Sequence, residues 1–208
     1  MFENKHLENS TLFECFDGTH WNKTITLWKG ENKYSGLIHS SEVNYTIETK
    51  DENSETSFFF LCPINEKKTS TLKINFNINH SWTKLDVHIV ALVAENIPVT
   101  LDANIIMREW IQWASASLLE ESVILSPSVS IKSLPILDIH AKNIQASHWA
   151  KIYRLDNDKL FYLESKWLNK VQAEGLMISS FRERMFDLVQ MDEEKRKWII
   201  NTFLTFYK

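Results

Sequence analysis

Apolar side chains fall on alternate positions through the middle of this chain. Leu72, Ile74, Phe76 and Ile78 share one face, with Lys73, Asn75 and Asn77 on the other, the period of a half-buried strand. Leu85, Val87, Ile89 and Val93 follow, then Val99, Leu101, Ala103 and Ile105, then a run from Trp110 to Leu119. Residues 43–49 and 57–62 read as earlier strands around the turn-like Asp51-Glu52-Asn53-Ser54. Val123-Ile124-Leu125, Val129-Ser130-Ile131 and Leu137-Asp138-Ile139 read as later ones. No amphipathic helix separates them, which argues against a βαβ sheet. The one Asp-Gly hairpin signal, Asp17-Gly18, precedes the strands, whereas a meander of hairpins needs more. Short strands joined by polar corners fit a solenoid of stacked coils better than a sandwich or barrel. Its last coils are expected to turn Leu125, Ile131, Leu137, Ile139 and Ile144 inward.

Beyond Ser147 the period becomes 3.6. Asp156 is placed to cap a helix through Leu160, Phe161 and Leu163, and Asn169 to cap a longer one. In the longer helix Val171, Ile178, Phe181, Met185 and Leu188 recur at helical spacing. Asp192 caps a third, with Glu193 and Glu194 in the first turn, where the macrodipole favours them. Its apolar positions are Trp198, Ile199, Phe203 and Phe206. The expected organisation is an irregular N-terminal segment over residues 1–35, a β core over 36–150 and a helical subdomain over 151–208.

Composition narrows the function classes. The 208 residues are 44% hydrophobic and 24% charged, as in an ordinary globular protein. No apolar run reaches the ~20 residues that span a bilayer, and no leader pattern follows Met1, so a cytoplasmic location is the expectation. A net charge of −4 argues against nucleic acid as partner. The four glycines leave no phosphate-cradling loop and no nucleophile elbow. Cys15 and Cys62 form no C-x-x-C pair, and read as small apolar groups. A zinc site needs three protein ligands held together. The seven histidines show no such convergence, so His6, His20, His39, His80, His88 and His140 read as surface or edge residues. Glu120-Glu121 reads as a solvated corner. Phe58-Phe59-Phe60 reads as a buried strand, and Trp110, Trp113 and Tyr153 as packing residues.

One stretch carries more. A Ser126-Pro127 pair leads into Pro135-x-Leu137-x-Ile139; a Ser147-His148 pair follows, then Leu160-Phe161-Tyr162-Leu163-x-Ser165, then Ala173, Leu176 and Phe181. In this order the motifs resemble the C-terminal core of the SufB/SufD family of iron–sulfur cluster assembly proteins. The resemblance implies a right-handed β-helix followed by a small helical subdomain. It also implies a non-catalytic scaffold that pairs through its β-helix with a SufB-like partner or a second copy. A SufC-like ATPase would dock on the C-terminal helices. His148 falls on the histidine that the SufD-type member presents at the paired surface, the one candidate ligand to metal or cluster. The cluster is then transient and held in the complex, with no cofactor tightly bound in isolation. Where the family often has Cys-Ser-His-Gly, this chain has Ala146-Ser147-His148-Trp149, and no cysteine follows Cys62. A SufB-type thiolate is therefore absent. These departures favour a second reading, an interaction module that binds an ATPase partner and carries no metal chemistry. A small metalloenzyme using His80, His88, His140 and His148 ranks last.

Overall fold

A computed structural model describes residues 2–64 and 69–206, leaving out the side chains of 2, 3, 17–20, 40, 41 and 202–206. The strands are β1 (Phe2–Leu7), β2 (Thr11–Leu27), β3 (Gly30–Thr49), β4 (Ser54–Ile64), β5 (Ser70–Ile78) and β6 (Lys84–Val93). They continue as β7 (Pro98–Met107), β8 (Ser115–Ile124), β9 (Ser130–Ser133), β10 (Ile136–Ile139) and β11 (Gln145–Arg154), and the helices are α1 (Asn157–Glu164), α2 (Lys170–Val189) and α3 (Glu193–Phe206). Every ladder among them is parallel.

The result is a β-helix-like stack with two faces. The first halves of β2 and β3 build one face with β4, β6, β8 and β11; their second halves build the other with β1, β5, β7, β9 and β10. Register is straight, so like stacks on like. One inward column runs Leu12, Tyr34, Phe58, Val87, Leu118 and His148. Another runs Ile25, Ile47, Phe76, Ile105 and Leu137. Tyr34, Tyr45, Phe58, Phe60 and Phe76 fill the space between the faces and are almost wholly buried. Polar groups enter the interior at its early end, where Lys23 pairs with Glu14 and the Tyr34 hydroxyl donates to the same carboxylate at 2.7 Å.

Corners are set by left-handed backbone. Asn53, Trp82, Trp113 and Asn143 all have φ between 55° and 59°, and the Trp82 and Trp113 N–H groups donate to Gln112 and Asn143 carbonyls of the next layer. Asparagine tolerates this region and tryptophan does not. The two rings stack at 5.7 Å and partly repay that cost.

A second cluster lies outside the stack. Phe59, Leu61, Val90, Leu92 and Val123 face outward and are covered by Ile178, Phe181, Met185, Phe186 and Val189 of α2. The caps fall where the sequence puts them. The Asp156 carboxylate accepts two N–H groups, Asn169 and Gln172 form a reciprocal capping box, and Asp192 accepts from the Lys195 N–H.

Several expectations are corrected. Residues 1–35 are not irregular: β1, β2 and the start of β3 fill them. The inward parity flips at the bend of each long strand, from Phe16 to Trp21 and from Ile38 to Val43, which hides the alternation. The boundary at 150 cuts through β11, so the strand period runs to Arg154 and helix begins only at Asn157. Val123-Ile124-Leu125 is the end of β8 and the residue after it, not a strand of its own. Leu125 packs with the helical cluster, whereas Ile131, Leu137, Ile139 and Ile144 pack against the interior as expected. Val171 is 75% exposed, on the face of α2 turned away from the sheet. The side chains of Phe203 and Phe206 lie outside the described residues. No described helix is long and apolar enough to cross a membrane.

Candidate functional site

The last layer of the stack, β9, β10 and β11, differs from those before it. In β6 and β8 the inward row is Leu85, Val87, Ile89 and Ala91, then Ala116, Leu118, Glu120 and Ser122, each almost wholly buried. In β11 it becomes Ala146, His148, Ala150 and Ile152, and the last three are exposed. Small and polar side chains here leave the interior open at this end. β11 pairs only with β8 among the described strands, so its other side is a bare edge.

His148 stands at that opening. Its Nδ1 lies 3.0 Å from the Pro135 carbonyl oxygen; because a carbonyl only accepts, Nδ1 carries the hydrogen. With Nδ1 carrying the hydrogen, the lone pair of a neutral ring lies on Nε2. Pro135 thus has a role the motif alone does not reveal: its carbonyl sets the tautomer and aims the ring. Pro135 lies in the bend between β9 and β10, and Leu137 and Ile139 on β10 anchor that bend against the interior. The other side of the bend is held by Ser133, whose hydroxyl donates to Glu120. Ser147 points to the outer face beside His148, above Ser117.

Glu120 and Glu121 lie in the middle of β8 and are both buried, correcting their reading as a solvated corner. Burial pushes the Glu120 carboxyl above the usual carboxylate range, against the Ser133 hydroxyl and the Ala103 N–H, which pull it down. Its second oxygen and the Ser122 hydroxyl have no hydrogen-bond partner among the described residues. Glu121 faces the other way. It meets His88 Nε2 at 2.6 Å, Lys151 and Arg184 at 3.6 Å, and accepts from the Tyr153 hydroxyl at 3.5 Å. Burial holds His88 below its ordinary value while Glu121 pulls it up. His88 is therefore neither surface nor free edge. Adjacent carboxylates on a strand face opposite sides, and only the register reveals what each meets.

The helical motif builds a groove. A cavity of about 760 Å³ between α1, α2 and β11 is lined by Tyr153, Leu155, Tyr162, Leu163, Leu176 and Phe181 among others. Leu160 packs against the helical cluster, and Ser165 caps α1, its hydroxyl donating to the Tyr162 carbonyl. Phe161 is 73% exposed and Trp167 97%. Ala173 is buried, Phe181 is nearly so, and Leu176 is exposed at the groove.

No group of three His, Cys, Asp or Glu side chains is arranged to hold a metal among the described residues. His80, His88, His140 and His148 do not come together, since His88 is engaged by Glu121 and His140 by Asp138. The side chain of His20 lies outside the described residues. Cys62 is buried and its thiol pushed well up by desolvation, which leaves it inert.

Residues 34–181 match the family model described as SUF system FeS cluster assembly, SufBD core domain. The chain is 26% identical over 151 residues to an iron–sulfur cluster assembly SufBD family protein of Synechocystis, covering 73% of this chain and 33% of that protein. It is 26% identical over 194 residues to the chloroplastic protein ABCI7 of Arabidopsis thaliana, covering 89% and 40%. Over 76 residues it is 24% identical to the iron–sulfur cluster assembly protein SufD of Escherichia coli, covering 36% and 18%. The chain thus spans two fifths or less of the length of these relatives.

Proposed function

Since the chain belongs to the SufBD core-domain family of iron–sulfur cluster assembly, we propose that it acts as a SufD-like scaffold subunit built on a right-handed β-helix. The observation that carries this reading is the open terminal layer: a parallel edge unpaired among the described strands with His148 beside it, Nδ1 engaged and Nε2 without a hydrogen-bond partner among the described residues. An unpaired strand edge is a template for another chain. Its apolar side chains Leu134, Ile136, Trp149 and Ile152 are between 46% and 66% exposed, and they suit the centre of an interface. In this reading a SufB-like chain pairs here and brings the thiolate this chain lacks. The nascent cluster is cargo, held between that thiolate and the His148 imidazole. A SufC-type ATPase seats in the groove between α1 and α2, beside the exposed Phe161 and Tyr162. The chain itself performs no bond chemistry: it orients one ligand atom and offers two surfaces. The cytoplasmic location belongs to the same proposal.

A second reading, an ATPase-binding module without metal chemistry, is favoured by the bulky, exposed Trp149 beside His148 and by Ala146 where the family often has cysteine. Anaerobic reconstitution with iron and sulfide decides between them. The isolated chain should hold little or no cluster, and its complex with a SufB-like partner should hold one. His148→Ala should lower the cluster yield without reducing the amount of complex. Equal yield from the variant complex would leave His148 structural and favour the module.

A further inference from the structure

We propose that the interior beneath the last layer holds a hard divalent cation, ferrous iron or an ion like it, bound by the Glu120 carboxylate and the Ser122 hydroxyl. The two residues alternate with Glu121 on β8 and so share its inner face. Both are wholly buried. Glu120 accepts the Ser133 hydroxyl on Oε2, while its Oε1 and the Ser122 Oγ have no hydrogen-bond partner among the described residues. Buried polar atoms are nearly always paired, and a pair left over on one face marks the place of an ion or a water.

Charge separates an ion from a water. A carboxylate taken out of solvent needs a counter-charge, and the early end of the same interior supplies one: Lys23 is wholly buried against Glu14, with the Tyr34 hydroxyl donating to that carboxylate. Glu120 has no such lysine. Among the described residues no basic side chain bears on it, and the charged group that does, Asp102, has the same sign. The donors are oxygen only, which suits a hard cation. Such an ion commonly takes one or two carboxylates and keeps several waters, so it does not require a group of three His, Cys, Asp or Glu side chains. The way in is from the open end. Above Glu120 in the ladder stands Ala150, and above Ser122 stands Ile152, both exposed. Ala103 offers its N–H to the carboxylate from β7. Alanine at both positions leaves space that a longer side chain would fill. The site needs neither a second chain nor a thiolate. It lies one layer beneath His148, so ferrous iron held there would stand close to the cargo; that use rests on the proposed function, whereas the site does not.

The test titrates the full chain, stripped of metal and held at neutral pH, with Mn²⁺ as the probe. Uptake is read from the loss of the free-ion electron paramagnetic resonance signal. Wild type should bind a single Mn²⁺, and the ion should raise its thermal midpoint because it binds the folded form. Glu120→Gln keeps the shape and the acceptor for Ser133 but loses the charge. It should weaken uptake roughly tenfold or more, the scale on which even supporting residues act at metal sites, and should remove the rise in midpoint. Ser122→Ala should act in the same direction, and metal-free midpoints verify the fold of both variants. Fe²⁺ added without oxygen should displace the Mn²⁺. Wild type that takes up no Mn²⁺ would overturn the site, as would equal uptake by Glu120→Gln; the carboxyl then holds a proton instead. Mn²⁺ that Fe²⁺ does not displace would overturn the assignment to iron. His148→Ala separates this site from the proposed function, and should leave Mn²⁺ uptake unchanged. Uptake lost in His148→Ala but kept in Glu120→Gln would place the metal at His148, overturning the interior site and leaving the proposed function standing.

Discussion

The middle of the stack and its last layer are made from the same strand geometry but opposite side-chain choices. Around β4 and β5 the inward positions are Phe58, Phe60, Ile74 and Phe76, all within 2% of full burial. In β11 the corresponding row is Ala146, His148, Ala150 and Ile152, of which the last three are open to solvent. A parallel ladder fixes register without regard to side chains, so one fold can be sealed at one level and left unsealed at another. The unsealed layer forgoes burial worth about 1.5–3 kcal/mol for each large apolar side chain. That forfeited stability is what a partner would recover under the proposed pairing.

The widest separation between the two regions comes from deleting an interior ring. Phe60 is fully buried and touches Tyr34, Tyr45 and Phe58 at ring separations of 5.2–5.8 Å. Phe60→Ala should cost about 3–5 kcal/mol, a large part of a typical total of ~5–15 kcal/mol, read from denaturant midpoints. A matched pair sharpens the contrast. Ile74 is fully buried in β5 and Ile139 half-buried in β10. Ile74→Ala should cost about 2–4 kcal/mol and Ile139→Ala about 1 kcal/mol. Equal costs would mean that the last layer is as closed as the middle, and the unsealed-end account would fail. Ile139→Asp, by the same logic, should weaken the protein without abolishing its fold.

Much of the middle was legible in the sequence because β5, β6 and β7 each keep one inward parity from end to end. Leu72, Ile74, Phe76 and Ile78 are the plainest case. The caps Asp156 and Asn169 were legible for a local reason, since a cap acts within three residues. β2 and β3 were not, because each bends between faces and exchanges inward parity at the bend. β11 was not legible as a strand throughout, because an inward row of alanine, histidine, alanine and isoleucine has no apolar alternation. His148 could be picked out by its motif, but its tautomer depends on Pro135, thirteen residues away and across the stack. The neighbours of Glu120 and Glu121 lie 13 to 63 residues distant in sequence. Nothing local distinguishes that pair from two surface carboxylates.

The smallest expected effect lies where the two regions meet, at Glu120. Burial raises its carboxyl in the folded state above the value of the unfolded chain. A raised carboxyl binds its proton more tightly in the native state, so the native state gains when the proton is on. That gain is complete below the unfolded value of 4.5 and is lost as pH rises through the folded value. Glu120→Gln keeps the shape and the acceptor for the Ser133 hydroxyl but cannot ionise. The variant should match wild type at the acid end of this window and be the more stable of the two at neutral pH. His88 titrates the other way: lowered by burial, it withdraws stability as pH falls from its unfolded value through its folded one. It does so equally in both proteins, so it cancels from their difference. Thermal midpoints of the pair measured from acid to neutral pH give that difference directly. A difference that stayed flat with pH would show Glu120 to be solvated, and the interior to be open one layer deeper than the structure places it.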